Sequence, residues 1–205
     1  MLAFSSLLGN VEGQNIYRIW YDKPASYWEE ALPVGNGRIA AMVFGDPQLE
    51  QIQLNEETVS AGSPYQNYNE EAKTALPEMR RLIFEGKYEE AQNMAATKIL
   101  SQVGNEMPYQ TVGRLNIRYQ DHKKVNNYYR DLDISNAVAV TRYEVDGVEF
   151  TEETFASFTD QLVIRHIKAS KPGTINCELF FNTPMRDPKR SIYGKKGLRL
   201  GGITH

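Results

Sequence analysis

Thr141-Arg142-Tyr143-Glu144-Val145-Asp146-Gly147-Val148-Glu149-Phe150-Thr151 is the stretch from which the fold is read. Two runs of strand-forming residues flank Asp146-Gly147, a pair that tolerates positive φ and so closes a tight antiparallel turn. The same kind of short strand recurs on either side. Upstream, Leu115, Ile117 and Tyr119 alternate with Asn116 and Arg118, and Val138 and Val140 alternate with Ala139 and Thr141. Downstream, residues 162–169 and 175–181 are runs of strand length on either side of Lys171-Pro172-Gly173. Short strands separated by regular turns predict a mainly β chain, an antiparallel β-sandwich.

The first 55 residues fit the same scheme. Residues 38–44 are almost wholly apolar, the pattern of a strand buried on both faces. After Gly45-Asp46-Pro47, Glu50-Gln51-Ile52-Gln53-Leu54 alternates polar and apolar, and the two runs together predict a hairpin. One region breaks the pattern. Between about residues 69 and 100 the spacing is helical. Asn69 can cap, with Glu70 and Glu71 in the first turn, where carboxylates suit the helix dipole. Pro77 is expected to start a new helix, because it has no amide to donate inside one. Leu76, Met79, Leu82 and Ile83 share a face, Gly86 ends the segment, and Tyr88, Ala91, Ala95 and Ile99 repeat the spacing. A helical hairpin inserted in a β domain is the prediction.

Composition narrows the function. With 205 residues and 41% hydrophobic side chains the chain can build a substantial core as one domain. A net charge of -3 gives no overall attraction for a polyanion, so no nucleic-acid partner is expected. Lys123-Lys124, Lys189-Arg190 and Lys195-Lys196 read as solvated loops. No run approaches the roughly 20 apolar residues of a membrane span. Residues 1–15 read as a disordered leader or the remnant of a signal peptide. The single cysteine, Cys177, excludes an intrachain disulfide and reads as a buried strand residue.

Chemistry is thinly marked. Gly35-Asn36-Gly37 lacks the preceding strand and following helix of a dinucleotide loop, so its glycines read as a tight turn and no cofactor is expected. His122, His166 and His205 form no ligand pair, and no metal is expected; His166 reads as a satisfied sheet histidine. Glu29-Glu30, Glu56-Glu57, Glu70-Glu71, Glu89-Glu90 and Glu152-Glu153 are carboxylate pairs. Glycoside hydrolysis needs two carboxyl groups roughly 5 to 9.5 Å apart around the scissile bond. Adjacent residues on a strand face opposite ways and cannot supply them. Asn55-Glu56-Glu57-Thr58 follows a hydrophobic strand and reads first as a turn, second as a site. Trp20, Tyr21, Tyr27, Trp28 and the aromatics from Tyr65 to Tyr68 could stack on sugar rings, although core packing explains an isolated tryptophan more often than ligand binding does.

Several strings in order resemble one known family. Residues 20–25 and 28–37 (Trp-Tyr-Asp-Lys-Pro-Ala and Trp-Glu-Glu-Ala-Leu-Pro-Val-Gly-Asn-Gly), then Ala41-Met42-Val43-Phe44-Gly45 and Leu54-Asn55-Glu56-Glu57-Thr58 with Gly62 and Pro64, are similar to the opening of glycoside hydrolase family 95. Arg80-Arg81-Leu82-Ile83, Gly86-Lys87-Tyr88 with Ala91, Tyr109-Gln110 with Gly113 and Leu115, Tyr129-Arg130-Asp131-Leu132-Asp133 and Phe155-Ala156-Ser157 extend the likeness over residues 16–200. That family holds α-L-fucosidases and some α-L-galactosidases.

The resemblance implies a galactose-mutarotase-like supersandwich over residues 16–205, truncated at its end, where Gly197 to Gly202 reads like the start of another strand. It also implies that inverting hydrolysis belongs to an (α/α)6 barrel absent from this chain. The chain would then be an accessory domain, inactive alone, whose partner is that barrel and which meets oligosaccharide through it. A stand-alone carbohydrate-binding or structural fragment is the alternative. No catalytic residue of the family carries over. Trp28, Asn36, Asn55, Glu56 and Tyr65 are the candidate interdomain or sugar contacts, and a periplasmic or secreted location is expected. Two departures point to diverged specificity or a decaying gene. Val59-Ser60-Ala61 replaces Leu-Trp-Ser, and Glu152-Glu153 stands where Arg before Glu is usual, which is expected to undo an ion pair.

Overall fold

Asp146 and Gly147 both adopt positive φ, 49° and 73°, and fold β7 (Val138–Val145) back on β8 (Val148–Ser157), with Val145 opposite Val148. The computed structural model describes residues 17–61, 67–101 and 108–204. These fall into two compact units, one of Met1–Val59 with Thr111–Ile203 and one of Ser60–Gln110 with Thr204–His205.

Among the described residues, the regular elements of the first unit are β-strands apart from a 3-10 turn at Trp28–Glu30. One five-stranded sheet runs β1 (Arg18–Tyr21), β6 (Val125–Asp133), β7, β8, β9 (Leu162–Ala169). The other runs β10 (Cys177–Asn182), β5 (Gly113–Tyr119), β4 (Leu49–Glu56), β3 (Ile39–Val43), β2 (Leu32–Gly35). All neighbouring strands in both sheets are antiparallel. The core joins Leu32, Val43, Ile52 and Ile117 of the second sheet to Leu132 and Ala139 of the first, which makes the unit a β-sandwich. β11 (Arg186–Tyr193) and β12 (Gly197–Ile203) form a separate hairpin.

The predicted hairpin at residues 38–54 is β3 and β4, with Val43 opposite Ile52. β3 differs from its expected double burial. Ala41 and Val43 are buried, while Ile39, Ala40 and Met42 are only half-buried, because one face alone meets the opposite sheet. Gly45 turns the chain out of β3 at φ 76°, and a side chain there would stand 2.8 Å from the Tyr128 hydroxyl. That hydroxyl donates to the Gly45 carbonyl at 2.6 Å, so the strand end is clamped directly onto the bare backbone.

The second unit carries the helical hairpin, α1 (Ala72–Phe84) and α2 (Tyr88–Met94), followed by a π-helical turn (Ala95–Ile99). Asn69 does not cap α1, whose N-cap position is Glu71 without a side-chain bond; Asn69 instead forms the turn before it, its Oδ1 accepting from the Glu71 amide at 3.0 Å. Its Nδ2 donates to the Thr97 carbonyl at 3.1 Å, tying the start of the unit to its last turn. Pro77 does not begin a new helix. It sits within α1, which runs through it. Only the bond from residue 77 to the Lys73 carbonyl is forfeited, and the Leu82 side chain buried on the next turn holds the helix together across the gap.

Candidate functional site

Glu50 is in phase with buried Ile52 and half-buried Leu54, so the alternation that turns those two inward also points a carboxylate into the sandwich. Three other charged residues enter the core by the same arithmetic. Arg130 follows the phase of Leu132, Glu152 that of Phe150, and Arg165 that of Val163 and Ile167. The result is a polar seam between the sheets. Arg165 Nη2 donates to Glu50 Oε2 at 2.7 Å and also to Glu152 Oε2, while Nη1 donates to the Thr154 hydroxyl at 2.7 Å. Glu50 Oε1 accepts the amides of Phe44 and Gly45 at 3.1 and 3.0 Å. Tyr119 and Tyr143 both donate to Glu152 Oε1 at 2.6 Å.

Burial dominates the electrostatics here. It pushes the Glu50 carboxyl up to about 7, against the pull of Arg165. Burial and then the Glu152 charge push both tyrosine phenols well above their usual range. Burial works against the Arg165 charge, but Glu50 and Glu152 outweigh it and hold the guanidinium above its ordinary pKa. Glu152 makes an ion pair with Arg165, and Glu153, on the opposite face of the strand, meets the exposed His166 at 3.3 Å. His166 is thus a surface residue, and Cys177 is half-buried rather than buried.

Two carboxylates close enough to share one guanidinium nitrogen invite a hydrolytic reading. Accessibility rules it out: Glu50 and Glu152 are 0% and 1% exposed, and every carboxylate oxygen is occupied by a protein donor. No bond of a glycan reaches between them. The seam is structural, an inter-sheet lock.

Arg130 does comparable work beside the Gly45 turn that Glu50 also holds. Arg130 lies over the Tyr21 ring at 4.1 Å and donates to the carbonyls of Lys23 and Glu30, each at 2.8 Å, fixing the loop between β1 and β2.

The residues singled out from the sequence do not form one constellation. Asn36 heads the β2–β3 turn, accepting the amides of Arg38 and Ile39 at 3.1 and 2.9 Å and donating to the Ser157 carbonyl at 2.7 Å. Gly37 completes that turn at φ 92°, which settles the glycine-rich stretch as a turn. Asn55 and Glu56 lie at the same end of the sheet, where Glu56 accepts from Arg38 Nε at 3.1 Å and from the Thr58 amide at 2.9 Å. Hydrogen bonds from Thr58 and then Arg38 hold its carboxyl below the ordinary range. Trp28 is half-exposed in a 3-10 turn before β2, at the opposite end of that strand from Asn36. Tyr65 lies outside the described residues.

Asn55 and Glu56 do border a cleft. It is about 560 Å³ in volume and opens between β9 and the sheet of β3, β4, β5 and β10, with walls that include Ile39, Leu54, Leu162 and Phe181. Arg165 is also among the residues that line it. Among the described residues no three His, Cys, Asp or Glu side chains are grouped to hold a metal ion, and no helix is long and apolar enough to cross a membrane.

Comparison with known proteins places this architecture. Residues 19–205 match the family described as glycosyl hydrolase family 65, N-terminal domain. The chain belongs to that family. This glycosyl hydrolase N-terminal domain is 37% identical over 181 residues to "Alpha-L-fucosidase 2" of Arabidopsis thaliana, covering 85% of the chain and 21% of the relative. It is 26% identical over 162 residues to "Probable alpha-fucosidase A" of Aspergillus niger, covering 74% of the chain and 20% of that protein. With the protein of the same name from Aspergillus oryzae it shares 25% identity over 174 residues, 80% of the chain and 23% of the relative. The chain thus spans about a fifth of the length of the curated relatives it matches.

The burial of Glu50, Arg130, Glu152 and Arg165 in the core was not foreseen from the sequence. Their signal was available in each case: a charged side chain at an in-phase position of an otherwise apolar alternation. Nothing in the sequence said which such positions would find partners across the sandwich.

Proposed function

We propose that this chain is the accessory N-terminal sandwich of an α-L-fucosidase-type enzyme of glycoside hydrolase family 95. In this reading it supports an (α/α)6 barrel that hydrolyses terminal α-L-fucosyl or α-L-galactosyl linkages with inversion. The observation that carries it is the 37% identity, over 181 residues, to a protein named for α-L-fucosidase activity. The ordered motifs quoted above support the same family. The sealed carboxylates support assigning hydrolysis to another part of the polypeptide, because a glycosidase needs carboxyl groups that reach its substrate. The apolar cleft rimmed by Asn55 and Glu56 is the surface this reading assigns to contact with the rest of the enzyme. The enzyme acts in the periplasm or outside the cell.

The test begins with the source DNA beyond codon 205. An open frame continuing through a helical segment of barrel length is expected. The longer polypeptide should then release fucose from 2′-fucosyllactose with inverted anomeric configuration by NMR, while the 205-residue chain alone releases none. Fucose release by the isolated chain at enzymatic rates would sink the proposal.

A further inference from the structure

At the end of the sandwich marked by the β7–β8 turn there is a second cavity of about 560 Å³, separate from the cleft and built by three connections. Asp121 and His122 come from the β5–β6 connection, Asp146 from the β7–β8 turn, and Thr174 and Asn176 from the segment between β9 and β10. Val148 and Phe150 complete the wall. Its volume falls within the roughly 300–1,000 Å³ typical of small-ligand pockets.

His122 is the informative member. It is 4% exposed, stacked on Tyr119 with ring centroids 4.4 Å apart, and edged by Tyr143 and Phe150. Its Nδ1 donates to the Pro47 carbonyl at 2.9 Å. Its Nε2, on the opposite edge of the ring, has no partner among the described residues. A buried polar atom is ordinarily satisfied, so an orphan on a side chain that lines a cavity calls for a ligand atom or water. A hydroxyl suits either protonation of that nitrogen, since it both donates and accepts.

The remaining lining narrows the ligand class. Asp121 and Asp146 supply carboxylate acceptors; Asn176, whose Nδ2 donates to Asp121 Oδ2 and Gln120 Oε1 at 3.3 Å, and Thr174, whose hydroxyl donates to the Lys171 carbonyl at 2.8 Å, supply acceptor oxygens; and Phe150 and Val148 supply apolar surface for C–H groups. Among the described residues no lysine or arginine lines the cavity, so an anion would face two carboxylates without a counter-charge. We propose that this cavity is a binding site for a neutral saccharide, in which a ring hydroxyl meets His122 Nε2 and neighbouring hydroxyls meet Asp121, Asp146 and Asn176. The site needs no barrel, and it stands whether or not the chain is part of a fucosidase.

The experiment uses the ¹⁵N-labelled 205-residue chain, titrated with lactose, cellotetraose, 2′-fucosyllactose and α-1,4-galactotriose, with trigalacturonate as the charged counterpart of the last and spermidine as a cationic probe. At least one neutral sugar should give saturable shifts centred on the amides of Asp121, His122, Asp146 and Asn176, with trigalacturonate inert. Asp121→Asn combined with Asp146→Asn should weaken the neutral sugar about tenfold, the loss of roughly one hydrogen bond's worth of affinity. The same pair should let trigalacturonate bind, an effect that a merely structural role for the two residues would not produce. Asparagine tolerates the positive φ of position 146, so these variants keep the turn. His122→Phe, which retains the ring stack, should abolish the shifts. Absence of localised shifts with every neutral sugar, or a response to spermidine alone, would overturn the proposal. Either result leaves the fucosidase reading untouched, because that reading is tested on the longer polypeptide.

Discussion

Arg165 Nη2 lies 2.7 Å from Glu50 Oε2 and so joins β9 of one sheet to β4 of the other through the middle of the sandwich. The same nitrogen reaches Glu152 on β8, so one cation serves two carboxylates that are shut off from water. Buried ion pairs of this kind are weak sources of net stability but expensive to break, since removing one partner strands a charge in a poorly solvating interior.

Arg165→Met therefore should destabilise the domain by about 3–5 kcal/mol in urea unfolding, the usual cost of orphaning a buried charge. Adding Glu50→Gln and Glu152→Gln to the same chain should recover most of that loss, because the stranded charges are gone. A triple variant no more stable than Arg165→Met alone would show that the seam acts through packing rather than charge.

Acidification should stabilise the fold through Glu50. Its folded pKa, about 7, lies above the ordinary 4.5, so between those values the folded chain holds a proton that the unfolded chain has released. The folded state then binds more protons than the unfolded state, and stability falls as pH rises through that window. The contribution is fully present below pH 4.5 and lost above about 7. The melting temperature of the wild-type chain should drop between pH 5.5 and 7.5 more steeply than that of Glu50→Gln. Parallel profiles for the two proteins would refute this assignment.

Asn36→Ala should cost about 1–3 kcal/mol, because the amides of Arg38 and Ile39 lose their acceptor and the tie to Ser157 goes with them. Asn36→Asp keeps the acceptor oxygen and loses only the Ser157 bond, so it should be the milder variant. Urea midpoints order the two.

How far the sequence reaches can be judged residue by residue. Asp146-Gly147 announces its hairpin because the turn chemistry is local, and Gly86 ends α1 for the same reason: its amide bonds back to Ile83 at 3.1 Å. Pro77 misleads because a single missing amide is a local penalty that the packing of Leu82 overrides. Glu50, Glu152 and Arg165 lie 13 to 115 positions apart, and only the pairing of distant strands brings them together. Trp28, Asn36, Asn55 and Glu56 looked like one set because they fall in adjacent motifs. The length of β2 puts the tryptophan at the other end of the strand from Asn36. His122 carried no pattern at all, since its isolation from its neighbours on the chain hides the ring stack that the fold builds around it.

Tyr119 and Tyr143 offer a test of cooperativity within the seam. Both hydroxyls donate to the same oxygen, Glu152 Oε1, at 2.6 Å, so each is a charge-assisted bond of the stronger kind. Either Tyr→Phe change alone should cost about 1.5–3 kcal/mol, the ordinary worth of a hydrogen bond to a charged group. With one phenol removed, the other still satisfies that oxygen. With both removed, Glu152 Oε1 is left bare in the core, so the double variant should lose more than the sum of the singles, by about 0.5–3 kcal/mol, the range seen for residues sharing a partner. A double-mutant cycle by urea unfolding measures the difference. Strict additivity would mean that the oxygen finds another donor when the phenols leave, and the guanidinium of Arg165 is the group placed to supply it.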